Sequence, residues 1–117
     1  MKDRDELEYQ IRRNKDLLFE IEDRQRQLSQ SRDMFVDNFE KGIRMINDDV
    51  SMHNLNSKEF DVYQSNIEKI RNRLRKNYDL FEEKENQIKK EKFACEEELI
   101  ELEASLSKGE EDNGEEF

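Results

Sequence analysis

At 117 residues, 44% of them charged and only 32% hydrophobic, the chain has room for one small domain but not for a thick core around an enclosed pocket. That excludes the usual setting of an enzyme site, and no catalytic activity is expected. The net charge of −10 is concentrated: residues 96–117 hold ten acids against one base, Lys108, so the rest is nearly neutral. An acidic end repels phosphate backbones and anionic membranes. With no proline and three glycines the composition fits either a disordered chain or long helices burying a narrow seam.

Periodicity decides for helices. From the N-terminus, Leu7, Ile11, Asn14, Leu18, Ile21, Gln25, Leu28, Arg32, Phe35, Phe39, Gly42 and Ile46 follow one another at alternating steps of four and three. This is the heptad signature of a helix that buries one stripe against another helix. Asn14, Gln25 and Arg32 interrupt the stripe with polar groups. From residue 34 onward Met34, Val36, Ile43, Met45 and Val50 widen it, as in a helix that touches more than one neighbour.

The run Asn47-Asp48-Asp49-Val50-Ser51-Met52-His53-Asn54-Leu55-Asn56-Ser57 reads as a connection, because Asn, Asp and Ser hydrogen-bond their own backbone in competition with a helix. A new helix start follows. With Asn56 as the N-cap, Glu59 falls at N3 as in a capping box, and Leu55 faces Phe60 as in a hydrophobic staple. The second stripe runs Phe60, Tyr63, Ile67, Ile70, Leu74, Tyr78, Phe81, Glu85, Ile88, Lys92, Cys95, Leu99, Leu102 and Leu106. Successive steps of four at Ile70, Leu74 and Tyr78 form a stutter that locally relaxes supercoiling. Gly109 is the expected helix stop. The expectation is an all-α antiparallel two-helix hairpin, with helices over about 4–48 and 57–107. A helical domain would then cover 1–108 and a disordered acidic tail 109–117.

One seam cannot cover all the apolar residues near the turn. Phe35, Phe39, Ile43, Ile46, Phe60, Tyr63 and Ile67 are therefore the expected partner-binding residues. They would meet helices of a different protein, or a second copy of this chain in a four-helix bundle.

Other chemistry finds little footing. His53 is the one histidine and Cys95 the one cysteine, so a zinc ligand set cannot be assembled, and neither metal nor cofactor is expected. Cys95 on the second seam reads as a buried, inert thiol. Carboxylate pairs such as Asp48-Asp49 and Glu82-Glu83 sit on solvated faces, where both members share one environment. The basic run Lys69-Ile70-Arg71-Asn72-Arg73-Leu74-Arg75-Lys76 invites a nucleic-acid reading. Its bases wrap around the helix instead of forming a stripe, and Glu20, Glu22, Asp23, Asp33, Asp37 and Glu40 are available as interhelical partners. A salt-bridged flank of the seam is expected, with no nucleic-acid binding. A lone cysteine suits a reducing compartment. The polar opening Met1-Lys2-Asp3-Arg4 carries no signal peptide, and no apolar run approaches the roughly 20 residues of a membrane span. A cytoplasmic protein without membrane insertion is expected.

Two segments carry a family resemblance. Glu22-Asp23-Arg24-Gln25-Arg26-Gln27-Leu28, followed by Phe35 and Phe39, looks like the first helix of the small helical proteins encoded beside LXG toxins in Gram-positive type VII secretion systems. More narrowly, it resembles their second, WXG-less partner type. Lys92-Phe93-Ala94-Cys95-Glu96-Glu97-Glu98-Leu99 looks like the end of the second helix of that type. The similarity spans most of residues 10–106 by pattern and size. Trp-x-Gly, the turn motif of the main small-substrate family of those systems, is absent. The resemblance implies a helical hairpin that binds the helical N-terminal domain of a toxin, in some cases with a second small helical protein. It also implies help in targeting the toxin for secretion, with co-export as a further option. The alternative is a homodimeric coiled-coil scaffold or spacer without a toxin client.

Overall fold

The structure, a computed structural model, describes the backbone of residues 3–115 and the side chains of residues 3–109. It is an all-α antiparallel helical hairpin built from α1, Arg4–Ser51, and α2, Ser57–Glu115. Among the described residues there is no strand and no residue with positive φ.

Both helices outrun their expected ends. α1 continues through Asn47, Asp48 and Asp49 to Ser51, three residues past the expected 48. The polar residues that were expected to break the helix instead finish it. Ser51 Oγ donates to the carbonyl of Asp48 at 2.8 Å, and His53 Nδ1 donates to that of Asp49 at 2.8 Å. The amides of Met52 and His53 close the last turn on Asp49 and Val50. These bonds satisfy carbonyls that a helix end otherwise leaves open. They do so although no basic residue stands in the last turn to complement the helix dipole.

α2 begins where the capping pattern placed it. Asn56 Oδ1 accepts from the Glu59 amide at 2.9 Å, as an N-cap should. The reciprocal bond departs from the usual box: Glu59 Oε1 accepts from the Asn56 side-chain amide at 3.0 Å, not from its backbone N–H. At the other end α2 passes through Gly109 and continues to Glu115, beyond the expected 107. Gly109 has no positive φ and so does not form the left-handed cap that would end the helix. The acidic tail was expected to be disordered over 109–117, but its backbone is helical as far as Glu115; the side chains after Gly109, and residues 116 and 117 altogether, lie outside the described residues.

The chain divides into two compact units. The first joins α1 up to Arg26 with α2 from Asn86 onward. Its core is aliphatic: Leu7, Ile11, Leu99 and Leu102 are buried together, with Leu18 and Leu106 packed on them. Each such side chain contributes roughly 1.5–3 kcal/mol relative to exposure. Ile21, at 2% exposure, is the most covered hydrophobic residue described. The pairing is antiparallel, for Lys15 reaches Glu103 while Arg24 reaches Glu91.

The second unit spans Gln27–Glu85 and contains the turn. Here too the pairing is antiparallel: Arg32 meets Glu85, Phe35 meets Phe81, and Asn47 accepts a hydrogen bond from the Tyr63 hydroxyl. The α1 stripe is covered as the spacing requires, from Leu28 to Gly42, with Ile46 emerging at its end. The α2 stripe differs at one position. Tyr78 is 44% exposed, and the smaller Asn77 takes its place in the seam. The two successive steps of four therefore fall at Asn77, Phe81 and Glu85, not at Ile70, Leu74 and Tyr78. Asn77 lies three residues after Leu74 and restores the heptad there.

Asn56→Ala removes the side-chain acceptor at the start of α2 and should lower stability by about 1 kcal/mol, whereas Asn56→Asp keeps it. Urea unfolding followed by circular dichroism measures both.

Candidate partner-binding site

Of the seven residues expected to bind a partner, the structure buries one, half-covers four and exposes two, and all seven lie in the second unit. Ile67 is 6% exposed and belongs to the core of that unit. Phe35 lies between helices: its ring centroid is 5.3 Å from Phe39 and 5.6 Å from Phe81 in tilted geometries. Such pairs add about 0.5–1.5 kcal/mol beyond area burial. Ile43 is half-buried as well. Tyr63 is held by the Asn47 side chain and by the Phe60 ring, 6.2 Å away. Ile46, at 38%, and Phe60, at 47%, remain open to solvent.

Beside Ile46 runs an open groove of about 400 Å³. Ile46 of α1 and Tyr63, Asn66, Ile67 and Ile70 of α2 form it, with the exposed Lys69 and Arg73 completing the lining. The volume lies in the range of small-molecule sites, which bury most of their ligand. This groove is instead a surface channel between two helices, mostly apolar and flanked by charge. That form suits the apolar face of a third helix. Ile70 was legible as a stripe residue, but nothing in the sequence joined Lys69 and Arg73 to Ile46, because that juxtaposition depends on the interhelical register.

The basic run is not the salt-bridged flank expected of it. Among the described residues, none of Lys69, Arg71, Arg73, Arg75 and Lys76 forms an ion pair. Register explains why. Glu20, Glu22 and Asp23 belong to the first unit, Asp33 engages Arg32, and Asp37 engages Lys41. Only Glu40 of the expected partners is left over.

Polar seam residues meet one another. Arg32 Nη1 contacts Glu85 Oε1 at 2.7 Å, and the same guanidinium also bonds Asp33. Asp33 and Glu85 together raise the Arg32 pKa above its ordinary value, so the charge is fixed. In the first unit Cys95, 4% exposed, donates its thiol to the Asn14 carbonyl at 3.3 Å. Burial, reinforced by Glu98 and Glu96, raises the thiol pKa. His53 stays in the turn, bonded to Asp49.

Among the described residues, no group of three or more His, Cys, Asp or Glu is gathered as for a metal ion. Nor, among the described residues, is any helix long and apolar enough to cross a membrane. Comparison with protein-family models, with known proteins and with solved structures returns no match.

Two outcomes follow from burial. Ile67→Ala should cost about 2–4 kcal/mol in urea unfolding, and Phe60→Ala under 1, because only the first leaves a cavity. Cys95 should react with iodoacetamide at pH 8 at least about tenfold more slowly in the folded chain than in urea, since the thiolate is scarce and covered. A raised thiol pKa also means that this group favours folding at lower pH. That contribution is lost as pH rises through the thiol range, and Cys95→Ala should flatten the alkaline limb of a stability–pH curve.

Proposed function

We propose that the chain is a non-enzymatic helical binding protein of the cytoplasm. In this reading it packs on the helical N-terminal domain of an LXG-type toxin and helps target the toxin for type VII secretion. The observation that carries the binding half is the set of uncovered apolar side chains in the second unit. Ile46 stands open in the groove lining, and Phe60, Met45 and Val62 of the same unit are 47%, 71% and 56% exposed. Uncovered apolar surface of this kind marks interaction sites, and the heptad seam already shows what chemistry this chain uses to hold a helix. The toxin half is supported by the resemblance of residues 22–28 and 92–99 to the WXG-less partner type.

Burial separates residues that hold the fold from those that can anchor a partner. Phe35 and Ile67 are engaged within the chain, so truncating them disturbs the fold before it reports on binding. Ile46 and Phe60 are free to turn to a partner. In the native cytoplasm the tagged chain should co-purify with a stoichiometric toxin carrying a helical N-terminal domain. Phe60→Ala and Ile46→Ala should each weaken that complex about 30-fold, the equivalent of about 2 kcal/mol at a packed anchor. Circular dichroism of both variants should match the parent. Recovery of the chain alone, as a stable dimer, would sink this reading and leave the coiled-coil scaffold.

A further inference from the structure

We infer that the chain pairs with a second copy of itself through the outer face of α2, antiparallel about a two-fold axis at Asn86. This goes beyond the proposed function, since it involves neither Ile46 nor Phe60. Charge along α2 comes in blocks. Residues 69–76 hold five bases and no acid, and residues 96–103 hold five acids and no base. The first block lies 17 to 10 residues before Asn86, and the second lies 10 to 17 residues after it. Between them come a mainly acidic stretch, Asp79, Glu82, Glu83 and Glu85 against Lys84, and a mainly basic one, Lys89, Lys90 and Lys92 against Glu91. Read backwards about Asn86, the sequence is its own electrostatic complement.

The helix carries this pattern on an open face. α2 is unbroken from Ser57 to Glu115, so residues three and four apart share a side of it. Arg75, Asp79, Glu82, Asn86, Lys90, Phe93 and Glu97 follow such steps and are all exposed, on the side away from the covered Asn77, Phe81, Ile88 and Cys95. A two-fold pair of these faces is isologous, so every contact is made twice. At 3.6 residues per turn, Lys76 then meets Glu97 and Glu83 meets Lys90 along one flank. Along the other, Arg75 meets Glu96 and Glu82 meets Lys89. In a parallel, in-register pair each block would meet itself.

Apolar side chains stand on the same face. Phe93 and Ile100 are 66% and 62% exposed, and Tyr78, whose place in the seam Asn77 takes, is 44% exposed. The two-fold brings Phe93 of one copy beside Tyr78 of the other and lays Ile100 on the aliphatic stems of Arg71 and Arg75. The mirrored spacing selects a second copy as the occupant: blocks of opposite sign at equal distances from one residue match the same sequence running in reverse. A net charge of −10 opposes self-association, but residues 69–103 hold nine bases against ten acids, so this face is nearly neutral. Exposed ion pairs are individually weak, and the dimer is accordingly a weak one governed by charge.

The test is sedimentation equilibrium of the full chain at low salt and up to about 100 μM, where a reversible dimer should form. Arg75→Glu/Lys76→Glu should weaken it at least about tenfold, and so should Glu96→Lys/Glu97→Lys. An equimolar mixture of these two variants should dimerise like the parent. So should one chain carrying all four changes, whose net charge is again −10. Circular dichroism of each variant should match the parent. In a Cys95→Ala background, a short bis-maleimide should join Asn86→Cys chains to one another. Ser105→Cys chains should stay unjoined, because the two-fold sets residue 105 of the two copies far apart. A chain that stays monomeric, a dimer indifferent to the charge reversals, or equal cross-linking at 86 and 105 overturns the inference. The functional reading fails separately: an Asn86-centred dimer with no toxin recovered from cytoplasm keeps the inference and removes the toxin. Toxin held by a chain that never dimerises does the opposite.

Discussion

A helix in a two-helix hairpin can bury only one stripe, and that limit governs the rest of this molecule. With 32% hydrophobic residues the chain has enough apolar side chains to fill both stripes, but no second helix layer to cover what falls outside them. Few side chains are therefore deeply buried, and no large one is completely sealed from solvent among the described residues. Stability has to come from many partly covered pairs along the seam, and each polar interruption needs a partner. Arg32 and Glu85 answer each other across the seam. A polar position matched in this way costs some stability relative to leucine but penalises shifted registers, where the charge would be left facing hydrocarbon.

The two units meet the same limit differently. The first uses leucine and isoleucine at consecutive seam positions and closes over them. The second uses aromatic rings, which stand 5.3–6.2 Å apart in tilted pairs and do not interdigitate as leucines do. It also places Gly42 in the stripe one turn before Ile46. A methyl group at Gly42 would meet nothing within 4 Å, so the seam is underfilled at that point. Large flat rings and a missing side chain leave space between α1 and α2, and the groove lies in the same unit. The unit with aromatic rings and a glycine in its seam is the one that carries the groove.

Heptad spacing was enough to read both helices, their equal lengths and short connection gave the antiparallel pairing, and the short-range cap at Asn56 marked the start of α2. Helix ends were harder to read. Whether Ser51 and His53 break α1 or satisfy its last carbonyls depends on the path of the chain after them, and Gly109 can equally cap a helix or sit inside one. Tyr78 was read into the stripe on hydrophobicity, whereas the structure chooses Asn77 on spacing. The candidate site was half legible. Its apolar members stood out near the turn, but sorting Ile67 from Phe60 needed the burial of each. The fate of the basic run turned on register: the acids counted as its partners were spent elsewhere or lay in the other unit.

Register thus links the fold to what the fold can bind. The antiparallel offset that brings Arg32 to Glu85 also leaves Lys69, Arg73 and Lys76 without carboxylates, so pairing one set of charges strands the other. Exposed ion pairs are individually weak, and three unmatched cations cost the free chain little because water solvates them well. Inside the hairpin, apolar residues set how tightly helices pack and charged residues set which alignment is allowed.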